Sequence, residues 1–162
     1  MSGVFGIVDS HKRSLSDQLL RMADDLCLRE WTRTWTWSDE QTGMGLGQVN
    51  IGIFSTDTQP LRSEDEALAV VFFGELYYTK PLRRQLVADG YSLEMGTEAE
   101  WVLHLYQAKG ESFIRDSEGV FVLALWDGKR GGLLVANDRF GLIPITPTTM
   151  ASWSSLPKSR VS

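Results

Sequence analysis

The chain has 162 residues, 43 % of them apolar, and a formal net charge of −5. One domain with a real hydrophobic core fits that length and composition, and the acidic balance without a Lys/Arg cluster argues against nucleic-acid binding. A single cysteine, Cys27, excludes an intrachain disulfide and points to a reducing, cytoplasmic setting. The longest unbroken apolar run, ALAVVFF at 67–73, is too short to span a bilayer. No basic start followed by a long apolar stretch marks a signal peptide, so no membrane partner is expected.

In chain order, GVFGIV (3–8) reads as a buried strand, so the fold is expected to take in the N-terminus itself. Leu15, Leu19, Met22 and Leu26 recur at helical spacing behind Ser14, a candidate cap. The Trp- and Thr-rich stretch 30–42 reads as a loop or irregular hairpin. Apolar stretches at 44–54 and 67–73 read as strands. Pro81 fits the first position of a second helix that Gly90 ends. Thr97 and Glu100 form a capping-box pattern ahead of a third helix closed by Gly110. GVFVLALWDGKRGGLLVAND is a pair of strands joined by a turn that begins at Asp127-Gly128. Strands in runs with helices grouped between them indicate stacked sheet and helix layers, not a doubly wound parallel sheet.

Few residues outside these patterns offer chemistry. His11 and His104 are the only histidines and sit in no triad string. Cys27 falls on the apolar stripe of the first helix and reads as a small buried hydrophobe. No Cys/His spacing suggests zinc. GMGLG (43–47) is not followed by a helical pattern, which argues against a phosphate loop. Trp31, Trp35 and Trp37 form either a sticky surface or a core edge.

Four strings in order, GELYYTKPLRRQLVADGY, GTEAEWVLHLYQAKGE, GVFVLALWD and NDRFGLIPI, resemble the glutamine amidotransferase domain of glutamine-dependent asparagine synthetases. The resemblance runs from residue 1 to about residue 145. It implies an α+β fold, the N-terminal-nucleophile (Ntn) hydrolase four-layer αββα sandwich with two antiparallel sheets. It also implies that Met1 is removed, that residue 2 attacks the glutamine side-chain amide, and that its own α-amine is the base. An α-amine has a pKa near 8 and accepts a proton near neutrality. No cofactor or metal is implied.

The resemblance also assigns positions, and several have changed. Ser2 stands where the family has a nucleophilic Cys; it is either a hydroxyl nucleophile or a space-filling remnant. The family's Asn-Gly-Glu oxyanion string reads Phe73-Gly74-Glu75: the Gly74 N–H remains, and Phe73 has no side-chain donor. Losing one such donor typically costs about a hundred- to a thousandfold in rate. Asn50 occupies the place of the Arg that holds the substrate carboxylate, so charge and guanidinium fork are lost. Glu98 falls at the acidic position for the substrate amine, or is a helix first-turn charge that favours the dipole. A His-Arg-Gly-Pro-Asp-type loop reads LREWTR (28–33), matching at Arg29 alone.

Residues 146–162, rich in Ser, Thr and Pro, show neither helical nor strand period and read as an unstructured tail. Read one frame over, suitable codons for 150–162 can encode a Gly followed by Leu-Val-Phe-Ala-Ser-Glu-Val-Lys-Ser-Leu, which matches the family's continuation. The tail is therefore expected to be an out-of-frame remnant of the link to a synthetase domain. The expected function is a glutamine amidotransferase-like domain with lost or weak glutaminase activity and a scaffold role for a separate synthetase domain. The alternatives are an active N-terminal-serine amidohydrolase on glutamine or a related amide, and a small-molecule binding module using the old pocket. Apolar surface left where a downstream domain docked is expected to favour a homodimer.

Overall fold

The computed structural model describes residues 2–9, 14–27, 32–52, 58–147 and 160–161. Met1, His11, Arg29, Trp31 and the tail at 148–159 lie outside the described residues.

Alternation of apolar residues builds the first sheet. Strand β1 (Gly3–Val8) pairs antiparallel with β3 (Met44–Asn50), and β3 pairs antiparallel with β2 (Arg33–Asp39), giving the order β1-β3-β2. The reading of 30–42 as irregular is corrected here, because RTWTWSD forms a regular strand. Trp and Thr are both strand formers, so this period-2 pattern hid its apolar alternation behind hydroxyls. Asp39 closes the hairpin by accepting from the Gln41 N–H (2.9 Å) and the Thr42 hydroxyl (2.8 Å). GMGLG thus belongs to a hairpin and not to a phosphate loop.

The second sheet has the order β4-β5-β6-β7-β8. Its strands are β4 (Leu61–Arg62), β5 (Leu68–Leu76), β6 (Gly119–Asp127), β7 (Gly132–Asn137) and β8 (Arg160–Val161). All neighbours are antiparallel except β8, which lies parallel to β7 with Arg160 opposite Leu134. Strand β5 runs past the expected residue 73, because Phe73, Gly74 and Glu75 pair with Val122, Phe121 and Val120. Two residues of the tail, expected to carry no strand, therefore pair at the sheet edge.

Helix α1 (Leu15–Leu26) lays Leu15, Leu19 and Ala23 on the outer face of the first sheet. Gly45 and Gly47 make room: a Cβ at Gly47 would meet the Phe5 ring at 2.3 Å, and one at Gly45 would meet Leu19 at 2.7 Å. Ser14 does not cap α1 as expected; its hydroxyl donates instead to the Asp17 carboxylate at 2.5 Å. Cys27 is half-buried beside this cluster, its Sγ 3.2 Å from the Thr34 hydroxyl. Helices α2 (Thr79–Ala88) and α3 (Glu98–Lys109) cover the second sheet, followed by a 3-10 turn and the short α4 (Phe113–Asp116). Pro81 is the third residue of α2, not its first, while Gly90 (φ +91°) ends the helix as expected.

Three apolar clusters follow from this stacking. Phe5, Leu19, Ala23 and Val49 lie between α1 and the first sheet. Met44, Leu46, Ala69, Val71, Ala124 and Trp126 fill the space between the sheets. Val70, Phe72, Leu86, Val102, Leu105, Phe121 and Leu123 lie under α2 and α3. The architecture is α+β, a four-layer αββα sandwich. No helix among the described residues is long and apolar enough to cross a membrane.

Candidate active site

The end of the first sheet carries the first two site residues. Gly3 pairs with Val49, so one step earlier Ser2 comes opposite Asn50. The Ile51 N–H donates to Ser2 Oγ at 3.1 Å, which fixes the hydroxyl and occupies one of its two lone pairs. Asn50 is buried, and its Oδ1 accepts the Gly52 N–H at 2.7 Å. This Asx turn shapes the exit from β3.

The second sheet supplies Phe73, Gly74 and Glu75. Gln48 Nε2 crosses the sandwich and donates to the Phe72 carbonyl at 3.2 Å, and the Phe72 N–H donates to Gln59 Oε1 at 2.6 Å. Met44 and Leu46 precede Gln48, Ala69 and Val71 precede Phe72, and these four pack together. Both strands therefore run on past this tie toward the same end of the sandwich, Ser2 and Asn50 on one side and Phe73–Glu75 on the other. Phe73 shares the parity of Ala69 and Val71 and so faces the space between the sheets. Gly74 has φ +127°, and a Cβ there would sit 2.1 Å from the Val120 carbonyl oxygen. Only glycine fits this position.

Glu98 comes from a third element, as the first residue of α3. The Thr97 hydroxyl accepts the Glu100 N–H at 3.3 Å, as a capping box requires. The reciprocal half differs from the expectation. The Glu100 carboxylate accepts from the N–H groups of Glu94 (2.8 Å), Met95 (3.0 Å) and Gly96 (2.7 Å). Glu100 is 4 % exposed, so this residue sets the loop that leads into α3. Sequence reasoning gave Glu100 only a capping role; its place in the box was the one available signal.

Perturbed titration lies elsewhere. Burial and a 2.9 Å hydrogen bond to Asp127 push the Tyr106 hydroxyl up to about 12. Asp65 is held well below the usual carboxylate range, chiefly by the Lys129 ammonium. Tyr106, Asp127 and Arg130 border a cavity of about 260 Å³ at the far end of β6, roughly 20 Å from Phe121 at about 3.3 Å per residue. It offers no nucleophile beside a base. His104 is half-buried, its ring tilted 41° against that of Tyr91 at 5.0 Å between centroids and within 2.9 Å of Gln107 Oε1. No group of three or more metal-ligating side chains occurs among the described residues.

Comparisons with known proteins agree with this layering. A solved structure of the allosteric regulatory enzyme of purine biosynthesis matches with a TM-score of 0.51 and 22 % identity, covering 62 % of this chain and 24 % of that one. The fold is that of the Ntn hydrolases. A family model described as a glutamine amidotransferase domain matches residues 1–157, and the chain belongs to that family. Asparagine synthetase [glutamine-hydrolyzing] 3 of Bacillus subtilis is 30 % identical over 156 residues, covering 94 % of this chain and 25 % of its own. Asparagine synthetase B of Escherichia coli is 25 % identical, covering 90 % of this chain and 26 % of its own. The chain thus spans about a quarter of the length of these curated relatives.

Proposed function

We propose that this glutamine amidotransferase domain has lost, or nearly lost, glutamine hydrolysis and acts in the cytoplasm as a scaffold for a separate synthetase domain. The observation that carries the reading is Phe73 beside Gly74, facing the space between the sheets where a side-chain donor is needed. A tetrahedral oxyanion there keeps at best the Gly74 N–H. With one donor missing, about 2.7–4 kcal/mol of transition-state stabilisation is gone. Ser2 compounds the loss, because a hydroxyl is a weaker nucleophile than a thiol.

The scaffold role is supported by the loop after β7. Asp138, buried, accepts the N–H groups of Phe140 (3.0 Å) and Leu142 (3.2 Å) and so presents both side chains outward, 80 % and 62 % exposed. Two large apolar groups on a fixed loop suit a domain of the kind that fills the other three-quarters of the relatives' length. Self-association through the same loop is the competing outcome, read by sedimentation across a dilution series.

Ser2 Oγ, held beside Asn50, favours the second reading: an N-terminal-serine amidohydrolase on glutamine or a related amide. Intact mass with an ammonia-release assay decides between them. The expected result is no ammonia above the Ser2→Ala background; release abolished by Ser2→Ala establishes the hydrolase.

A further inference from the structure

The strand order β1-β3-β2 places three residues in one row across the first sheet. Arg33 at the start of β2 pairs with Asn50 at the end of β3. Ser2 comes opposite Asn50 from the other side, one step before the Gly3–Val49 pair. Directly paired residues share a face, and so do residues two apart on one strand. Val4, Val8, Met44, Leu46 and Trp37 all pack into the space between the sheets, and Gln48 reaches across it. By that parity Ser2, Asn50 and Arg33 all stand on the same inner face, beyond its apolar filling. Arg33 is exposed, and its guanidinium has no ion-pair or hydrogen-bond partner among the described residues.

We propose that Arg33 supplies, from the neighbouring strand, the positive charge that Asn50 does not carry, so that the Ser2–Asn50–Arg33 row binds the carboxylate of an amino-acid-sized ligand. The inference rests on the reading of the Ser2–Asn50 end as the ligand site, but not on whether that site hydrolyses anything. The spacing suits it. Ser2 and Arg33 are two strands apart, roughly 10 Å between backbones at about 4.8 Å per strand. An arginine side chain reaches back across part of that gap. The remainder matches a short α-amino acid lying across Asn50, its carboxylate on the guanidinium fork and its far end at Ser2. A planar fork accepts a carboxylate through two parallel hydrogen bonds, which an amide cannot offer.

The test is a calorimetric titration of the full chain with L-glutamine, L-glutamate and 4-aminobutanamide, the last being glutamine without its carboxylate. Binding of one or both amino acids, with 4-aminobutanamide at least tenfold weaker, is expected. Arg33→Gln should weaken the amino acid at least tenfold and Arg33→Lys by less, since Lys keeps the charge without the fork. Adding Asn50→Arg to the Arg33→Gln protein should restore binding. Absence of binding by the unaltered chain overturns the proposal, as do equal binding of 4-aminobutanamide and an Arg33→Gln protein that binds unchanged. Ammonia release is read separately. Hydrolysis would overturn the proposed loss of activity while leaving Arg33 to be judged on affinity alone.

Discussion

Gln48 Nε2 sits 3.2 Å from the Phe72 carbonyl oxygen, joining the middle strand of one sheet to a central strand of the other. It is the polar rivet of an otherwise apolar interlayer, 2 % exposed, and its Oε1 has no partner. The bond gained and the orphaned oxygen offset each other. Gln48→Leu is therefore expected to change stability by less than about 1 kcal/mol. Gln48→Ala, which also leaves a cavity, should cost about 2 kcal/mol or more. Urea unfolding of both variants measures the difference.

Gly74 permits no side chain. With φ +127° and the Val120 oxygen 2.1 Å from where a Cβ would stand, Gly74→Ala must push β5 away from β6. A loss of about 2–4 kcal/mol is expected, read as a lower denaturation midpoint. Gly90→Ala is the control: it too has a positive φ, of +91°, but meets nothing within 4 Å, so its cost should stay near 1 kcal/mol.

Glu100 accepts from three backbone N–H groups at once. Glu100→Ala should cost about 3 kcal/mol and speed amide hydrogen exchange at Glu94, Met95 and Gly96. Glu100→Gln, which keeps one acceptor oxygen, should fall between. Uniform protection at 94–96 in the Ala variant would show that the loop stands without it.

Tyr106 gives a signed pH dependence. Its folded pKa of about 12 lies above the ordinary value of 10.0, because burial and Asp127 favour the neutral hydroxyl. The folded chain therefore holds this proton more tightly than the unfolded one. The stabilisation is fully present below pH 10 and is lost as pH rises toward 12. Thermal melts should show a steeper fall over that window in the unaltered chain than in Tyr106→Phe, by about 1 kcal/mol once solvent screening is allowed for. The fall left in Tyr106→Phe belongs to other groups, among them Lys129, which Asp65 holds protonated above its ordinary value.

Restoring chemistry is the complementary test of the site. Ser2→Cys with Phe73→Asn returns a thiol nucleophile and a side-chain donor to the end of the sandwich that Gln48 aligns. At least tenfold more ammonia release from glutamine than the unaltered chain gives is expected. Phe73→Asn alone should give less, since the weak nucleophile remains.

The layers were legible because their patterns are local. Leu15, Leu19 and Leu26 announce α1, and Thr97 with Glu100 announces the start of α3. Strand β2 was hidden because its alternation is written in Trp and Thr, which do not separate cleanly into apolar and polar. The changed groups at Ser2, Asn50 and Phe73 could be read once a resemblance fixed their positions. The nearness of Arg33 could not, because sixteen residues of chain separate it from Asn50 and only strand register makes them neighbours. The three-N–H cradle around Glu100 was hidden for a similar reason, since a carboxylate's choice among nearby donors is decided by loop geometry.

The placement of Ser2 has a practical side. Gly3 is already in register with Val49, so the sheet begins at the first residues of the chain. Anything fused ahead of Ser2, such as an affinity tag or an uncleaved leader scar, would be threaded toward the Asn50–Arg33 row. A protein prepared that way would carry its own plug. Handles for purification or labelling belong instead on the exposed face of α2, where Arg84 and Val87 point to solvent.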